Sequence, residues 1–353
     1  MLTLLRLDPV TRKRFARFRA IKRGWYALLI LATATILSLF CELIANSRPI
    51  MVSYNGSWYF PAYRFMPMSA FGQSNEFGDE DEADYRRLKQ EFAGTENWVL
   101  MPPIPFDPIE NDLAHYDTPP PHPPDGRHIL GTDSTGRDVL ARLLYGFRIS
   151  IFFALVVVLG SKIIGVGIGL MQGYLGGWFD MGSQRFVEIW STLPFLYVVI
   201  LLASIFEPSF ALLVIVFIAF DWIGITYYMR TEAYREKARE YVQAARAMGA
   251  SHFRVLFVHL LPNCLVPLVT TIPFAIIGGI FGLTALDFLG YGLPVPTPSW
   301  GQLVDQGLQS GNRGKLWLSL SPFVAIVATL SLVSLIGESV REAFDPRQYV
   351  RYE

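Results

Sequence analysis

The sequence predicts an all-α polytopic membrane protein with six transmembrane helices. Three observations carry this. Six apolar stretches are long enough to cross a bilayer, whose core of about 30 Å requires roughly 20 mostly apolar residues per helix. The chain is only 17% charged and 52% hydrophobic, with a mean hydropathy of +0.34, whereas a soluble domain carries about 25% charge. Basic residues crowd the amino-terminal end and orient the first stretch. The 353 residues hold 30 Lys+Arg against 30 Asp+Glu, which is neither the basic excess of a nucleic-acid binder nor the composition of a disordered chain.

Residues 1–24 contain eight Lys/Arg and one acid, Asp8. The positive-inside rule places them in the cytoplasm. The first span, Trp25–Ile44, is longer than the apolar core of a signal peptide and no small-residue cleavage site follows it, so it is expected to remain as an anchor. Residues 45–148 then form a large outer loop. Asn55-Gly56 between β-favouring residues predicts a hairpin, because both central positions of a type I′ turn need positive φ. An acidic block, Glu76–Glu82, leads into a short surface helix over 83–92. Residues 102–124 hold nine prolines, expected to stay extended as a semi-rigid spacer. The loop reads either as a solvated linker or as a docking surface for an extracytoplasmic partner.

Five more spans follow: Ile149–Met171, Phe186–Phe206, Phe210–Tyr228, Cys264–Leu286 and Leu316–Ile336. The third and fourth are separated by Glu207-Pro208-Ser209, a tight helical hairpin. Loops 172–185 and 229–263 and the carboxyl terminus fall on the cytoplasmic side; 287–315 faces outward. In loop 229–263 good helix formers end at Gly249, where a C-terminal glycine cap belongs. Ser251 is placed to cap a second short helix closed by Pro262. Pro267, Pro273, Gly278, Gly279 and Gly282 predict an irregular fifth span, tolerated where a cavity or neighbouring helices satisfy the backbone. Cys41 and Cys264 lie near opposite membrane faces and read as packing residues, not a disulfide.

Catalytic motifs are missing. Gly311-Asn-Arg-Gly-Lys315 lacks phosphate-loop spacing, and Gly165-x-Gly167-x-Gly169 lies inside span two, where small residues allow close helix packing. The five His show no metal-ligand spacing. No catalytic, cofactor or metal residue is assigned; nucleotide chemistry would have to come from a partner. Among charges within spans, Lys162, Glu188 and Asp287 can reach the surfaces. Asp221 either lines a water-filled path or pairs with Arg185 or Arg230. Asp221, Pro273, Gly278 and Gly279 are the candidate translocation pathway.

Residues 241–262, with Gln243-Ala-Ala245, Gly249 and Leu261-Pro262, resemble the EAA loop of ATP-binding-cassette importer permeases; Gln243 replaces the usual Glu, and His259 an aliphatic residue. Leu130-Gly-Thr-Asp-Ser-Thr-Gly-Arg-Asp-Val-Leu-Ala-Arg-Leu-Leu-Tyr-Gly146, Phe288-Leu-Gly-Tyr-Gly-Leu293, Pro298-Ser-Trp-Gly and the tail from Ile336 to Arg347 are similar to the dipeptide/oligopeptide permease family. Glu42–Asn46, Tyr54–Pro61 and Trp98-Val-Leu are similar to its Yej-type microcin C/oligopeptide subgroup. The resemblance spans roughly 125–350 for the family as a whole.

The resemblance implies a type I importer (MetI-like) permease fold. Its parts would be a basic cytoplasmic segment 1–24, the first helix 25–44, a periplasmic loop domain 45–148, a five-helix core 149–340 with coupling loop 229–263, and a tail 341–353. It also implies a bacterial inner-membrane subunit importing peptides. The partners would be a homologous permease, two ATPase subunits holding ATP and Mg, and a periplasmic peptide-binding protein. Tyr241, Gln243, Ala244, Ala245, Gly249, Leu261 and Pro262 would couple it to the ATPase. A stand-alone secondary transporter would show internal repeats and a midplane ion site. A membrane-anchored scaffold working through its outer loop would not need six spans. Reporter fusions test the topology: a fusion at Gly94 is expected to report outside and one at Glu353 inside, and the reverse at either site overturns it.

Overall fold

The structure, a computed structural model, describes residues 9–74 and 81–344; much of the acidic block Glu76–Glu82 and the end of the tail motif lie outside them. In chain order the helices are α1 Pro9–Ala20, α2 Lys22–Ser38, α3 Cys41–Ile44, α4 Tyr85–Glu91, α5 Val139–Leu175, α6 Gly177–Ser191, α7 Phe195–Ile205, α8 Phe210–Lys237, α9 Glu240–Ala247, α10 His252–Arg254, α11 Leu261–Phe288, α12 Trp300–Leu308 and α13 Leu316–Phe344. Three strands, β1 Met51–Tyr54, β2 Ser57–Tyr59 and β3 Trp98–Leu100, interrupt them.

Among the described residues, α5, α8, α13 and the 268–288 part of α11 are long and apolar enough to cross a membrane, and the number rises to six if each of two bent pairs is one span. The first predicted span, Trp25–Ile44, and the third, Phe186–Phe206, are each divided between two helices. α2 stops at Ser38, whose hydroxyl turns back onto the Thr35 carbonyl, and it lies at 93° to the 12–20 part of α1. The third span breaks by 72° between α6 and α7, where Pro194 cannot donate to a continuing helix. The hairpin before α8 forms as expected, with the Ser209 hydroxyl accepting from Leu212 N–H.

The chain divides into two compact units. The first comprises Met1–Ala32, Ser150–Pro294 and Val327–Glu353. Within it Gly165, Gly169 and Gly173 form a stripe on α5 that meets the backbone of α8. A Cβ on Gly169 would sit 2.6 Å from the Thr226 carbonyl oxygen, and one on Gly173 2.5 Å from that of Arg230. Gly167, which the sequence groups with Gly165 and Gly169, faces open space; helical periodicity selects every fourth residue for this seam. A separate core joins Phe18 and Ala27 to Ile336 and Ala343.

The second unit comprises Thr33–Ile149 and Val295–Ile326. The predicted hairpin is present: Asn55 and Gly56 have φ of 49° and 75°, and β1 pairs antiparallel with both β2 and β3. α4, capped by Asp84, lays Tyr85 and Leu88 over Val52, Phe71 and Val99. The proline tract is not a simple spacer. Its residues and those following fold around His128, which is fully buried, 2.8 Å from an Asp138 oxygen and 3.2 Å from an Asp112 oxygen. Arg127 donates to the same Asp112 oxygen at 2.7 Å, and the Phe106 ring lies over the imidazole. Prolines limit the unfolded chain, and the buried polar cluster then fixes one arrangement.

Two of the family-like motifs meet in this unit. Arg142 is fully buried against Asp133 and donates to the carbonyls of Pro108 and Pro296. Trp300 donates to the Leu143 carbonyl at 3.0 Å and fills the space beside Gly146, where a Cβ would come within 2.9 Å of the indole. Ser134 donates to Gln306 at 2.8 Å.

Replacing His128 by Ala leaves two buried carboxylates facing each other without the ring, a class of change that costs about 3–5 kcal/mol. Faster proteolytic cleavage within 105–138 in purified protein is the expected readout. Burial would raise the Asp112 carboxyl, but its hydrogen bonds with Arg127 and His128 outweigh that and hold it below the ordinary value. Its folded value being depressed, this contribution is present above about pH 3.9 and is lost as the pH falls further. Protection of 105–138 should therefore weaken on acidification below that point and not on moderate alkalinisation.

Candidate functional site

The candidate coupling segment, residues 229–263, lies within the first unit. α8 ends at Lys237 and α9 begins at Glu240, so the run of helix formers that ends at Gly249 forms two helices, separated at Ala238–Arg239. Tyr241 donates from its hydroxyl to Glu236 at 2.9 Å and thereby ties α9 to the end of α8. Burial and the Glu236 carboxylate push this hydroxyl up to about 12, so it remains a donor at neutral pH. Gln243 donates to the Ala238 carbonyl.

The end of α9 is the cap the sequence predicts. Gly249 has φ +83°. Its N–H bonds to the Arg246 carbonyl, and that of Ala250 reaches back to Ala245, each at 3.0 Å; this satisfies carbonyls a helix end otherwise leaves unpaired. A Cβ on Gly249 would meet nothing within 4 Å, so the glycine is required by backbone conformation, not by crowding within this chain.

Which face of α9 is free departs from expectation. Val242 and Ala245 are buried, with Ala245 4% exposed, and Val242 packs with Leu170 and Tyr174 of α5 and with Ile225, Met229 and Ala233 of α8. Ala245 therefore faces the protein's own interior and is not a surface for another subunit. Gln243, Ala244 and Met248 are on the exposed side. The 3.6-residue period sorts neighbouring alanines onto opposite faces, which the three-letter motif alone does not reveal.

Beyond the turn, the Ser251 hydroxyl accepts from Arg254 N–H at 3.3 Å, capping α10 as predicted. Pro262 does not close this helix. Residues 255–260 form a π-helical turn, in which Leu261 N–H bonds to the Leu256 carbonyl, and α11 continues to Phe288. A π turn leaves the register one residue out of step, and a residue without an N–H fits in the first turn that follows. Leu261 is half-buried and Pro262 exposed. The irregularity expected in the fifth span thus falls at its beginning: α11 is continuous through Pro273, Gly278 and Gly279.

The pathway candidates separate on inspection. Pro273 packs against Gly337 of α13. A Cβ on Gly279 would touch Ala154 at 3.0 Å, so Gly279 is a close-packing site. Gly278 faces open space. Asp221 pairs with neither Arg185 nor Arg230. It accepts from Lys162 Nζ at 3.0 Å and from the Ser161 hydroxyl at 2.6 Å, a cross-link between α5 and α8. Arg185 instead pairs with Glu188 at 2.7 Å, and Arg230 grips Asp180 with two bonds of 2.6 and 2.7 Å, which Tyr234 joins.

Three contributors escape a reading of the sequence. Asp180, in the first turn of α6, is the anchor for Arg230 and Tyr234. Tyr174, at the end of α5, hydrogen-bonds with His252 Nδ1 at 2.8 Å. Lys162, expected to reach the surface, is instead held by Asp221. Single charges and a lone Tyr carry no spacing signal; only helix packing pairs them. Among the described residues no cluster of His, Cys, Asp and Glu is arranged to hold a metal ion.

The family model for binding-protein-dependent transport system inner membrane components matches residues 165–349, which include the whole candidate segment 229–263. The chain is 42% identical over 98% of its length to the inner membrane ABC transporter permease protein YejE of Escherichia coli strain K12, covering 99% of that protein. It is 37% identical, again over 98% of its length and 95% of the relative's, to a peptidoglycan transport system permease protein YejE of Agrobacterium fabrum. A dipeptide transport system permease protein, DppC of Haemophilus influenzae, is 36% identical over 70% of this chain and 85% of its own.

The Lys162–Asp221 cross-link yields a test of whether Asp221 is structural. Asp221→Leu alone strands a lysine within a span and should destabilise by about 3–5 kcal/mol. Adding Lys162→Met should restore most of that, since a well-packed apolar pair can replace an ion pair. Thermal unfolding in detergent reads both variants; no recovery in the double variant would return Asp221 to a pathway role.

Proposed function

The chain belongs to the binding-protein-dependent transport system inner membrane component family, and from that premise we propose how it works. It is a multi-pass permease subunit of an ABC importer with a MetI-like core, a transport subunit and not a catalyst. Peptides are its cargo class. The relatives' names include dipeptides and peptidoglycan, and peptide bonds are the chemistry those cargoes share. Oligopeptides, including microcin C-type peptide antibiotics, are the finer reading.

In this reading ATP and Mg are bound and hydrolysed on partner ATPase subunits, and a second, homologous permease completes the pathway. A periplasmic binding protein delivers cargo to residues 45–148. Both termini and the 229–263 segment face the cytoplasm, in keeping with the basic excess at 1–24. The observation that carries the mechanism is α9: a short helix closed by a left-handed glycine, with its inner face fixed on α5 and α8 and its outer face, Gln243, Ala244 and Met248, uncovered. Such an element transmits rigid-body motion of a docked ATPase subunit to the helices that hold it. The outer face is the docking surface, and cycles of ATP binding and hydrolysis shift the spans between outward and inward access.

Gly249→Ala places a side chain at positive φ at a cost of about 1–2 kcal/mol and should weaken the complex modestly. Gly249→Asp adds a charge to the docking surface and should release the ATPase subunits or abolish peptide-stimulated hydrolysis while leaving membrane insertion near normal. Affinity purification and ATPase assay decide this; intact subunits with full stimulation in Gly249→Asp would refute the reading. Uptake of a labelled oligopeptide, competed with unlabelled dipeptide or peptidoglycan fragments, identifies the cargo.

A further inference from the structure

The coupling segment rests on α5 and α8 through apolar side chains: Val242, Val255, Leu256 and Leu260 against Leu170, Ile225 and Met229. Such contact is non-directional, and it can hold two elements together while letting one slide over the other. Motion is transmitted only if something fixes the relative position. α8 is fixed to α9 by the Tyr241–Glu236 bond. On α5 the polar tie is Tyr174. Among the described residues it is the one side chain of α5 that hydrogen-bonds into residues 240–264.

Tyr174 is 3% exposed, and three successive pieces of the cytoplasmic segment converge on it. Its hydroxyl meets His252 Nδ1, the first residue of α10, at 2.8 Å. Lys237, the last residue of α8, places Nζ 5.8 Å from the ring centroid. Arg246 of α9 places its guanidinium carbon 6.0 Å away, within the range of a cation–ring attraction. One residue earlier on α5, Gly173 brings the helix against the α8 backbone, so the ring is held on the rigid side of the joint. α9 and α10 are linked through Gly249 and Ser251, so a displacement of either reaches the same ring.

We propose that Tyr174 is the positioning residue that couples the 240–264 segment to α5, with its hydroxyl bond to His252 as the directional link. The proposal rests on the permease reading above. It places the step between ATPase docking and helix movement in one hydrogen bond, and it assigns a role to His252, which is not among the matched residues Gln243, Ala244, Ala245, Gly249, Leu261 and Pro262 of the motif.

The test uses the purified intact complex reconstituted in lipid vesicles, with ATP hydrolysed and peptide transported measured together. Tyr174→Phe keeps the ring and removes the hydroxyl. It should retain its ATPase subunits but transport about fivefold fewer peptides per ATP, the scale of one lost hydrogen bond. His252→Ala should do the same, and His252→Asn, which keeps a polar atom near the Nδ1 position, should recover much of the ratio. The Tyr174→Phe/His252→Ala double variant should be no worse than either single one, because both remove the same link. An unchanged peptide-to-ATP ratio in both single variants, or independent losses that multiply, would overturn the proposal. If Tyr174→Phe fails to assemble, the His252 series, at an exposed position, decides by itself: a ratio unchanged in His252→Ala overturns the link. Failure of the permease reading would look different: the unsubstituted chain would not retain ATPase subunits at all.

Discussion

The backbone-to-backbone approach of α5 and α8 is the constraint on which the rest of the first unit depends. Without side chains at Gly165, Gly169 and Gly173, the two helices come close enough for Thr226 to donate to the Gly165 carbonyl at 3.2 Å. In a bilayer, apolar burial gives little preference for one helix neighbour over lipid, so packing and interhelical hydrogen bonds must supply it. The seam sets the register that brings Lys162 to Asp221 along the same two helices. It also leaves a fixed ledge at the α5 end where Tyr174 stands. A larger residue in the stripe would separate the helices and undo all of these contacts together.

Residues 240–264 then combine interactions of different character. Apolar packing through Val242, Val255 and Leu260 supplies affinity without direction. Bonds from Tyr241 and Tyr174 supply direction without much net stability, about 1 kcal/mol each. The bidentate Arg230–Asp180 pair, reinforced by Tyr234, fixes the start of α6 beside α8. The π turn at 255–260 lets one helical run continue into the apolar 268–288 stretch, with Pro262 seated where its missing N–H is harmless.

The proline-rich part of the second unit uses a different solution to the problem of order, with few apolar side chains of its own. Its prolines restrict the chain, and the His128 cluster and the buried Arg142–Asp133 contact replace apolar bulk with polar bonds that fit only one arrangement. The motifs around Thr132–Arg142 and Pro298–Gly301 look unrelated in sequence because they are more than 150 residues apart. They form one structure: Arg142 and Trp300 each bond to the backbone of the other segment.

The sequence by itself determined what local chemistry dictates. Apolar length marked the spans, Asn55-Gly56 the hairpin, and Ser209, Ser251 and Gly249 the helix boundaries. These signals are local because φ preferences, missing N–H groups and the bilayer thickness act on a few consecutive residues. Only the tertiary structure decided which face each residue presents and which charge it meets. Ala245 turned inward while Ala244 stayed outside. Asp221 found Lys162 and not the nearer-looking arginines, and the proline-rich tract closed around a buried histidine. Those outcomes depend on how helices rotate and dock against one another, a relation between distant residues that spacing along the chain does not encode.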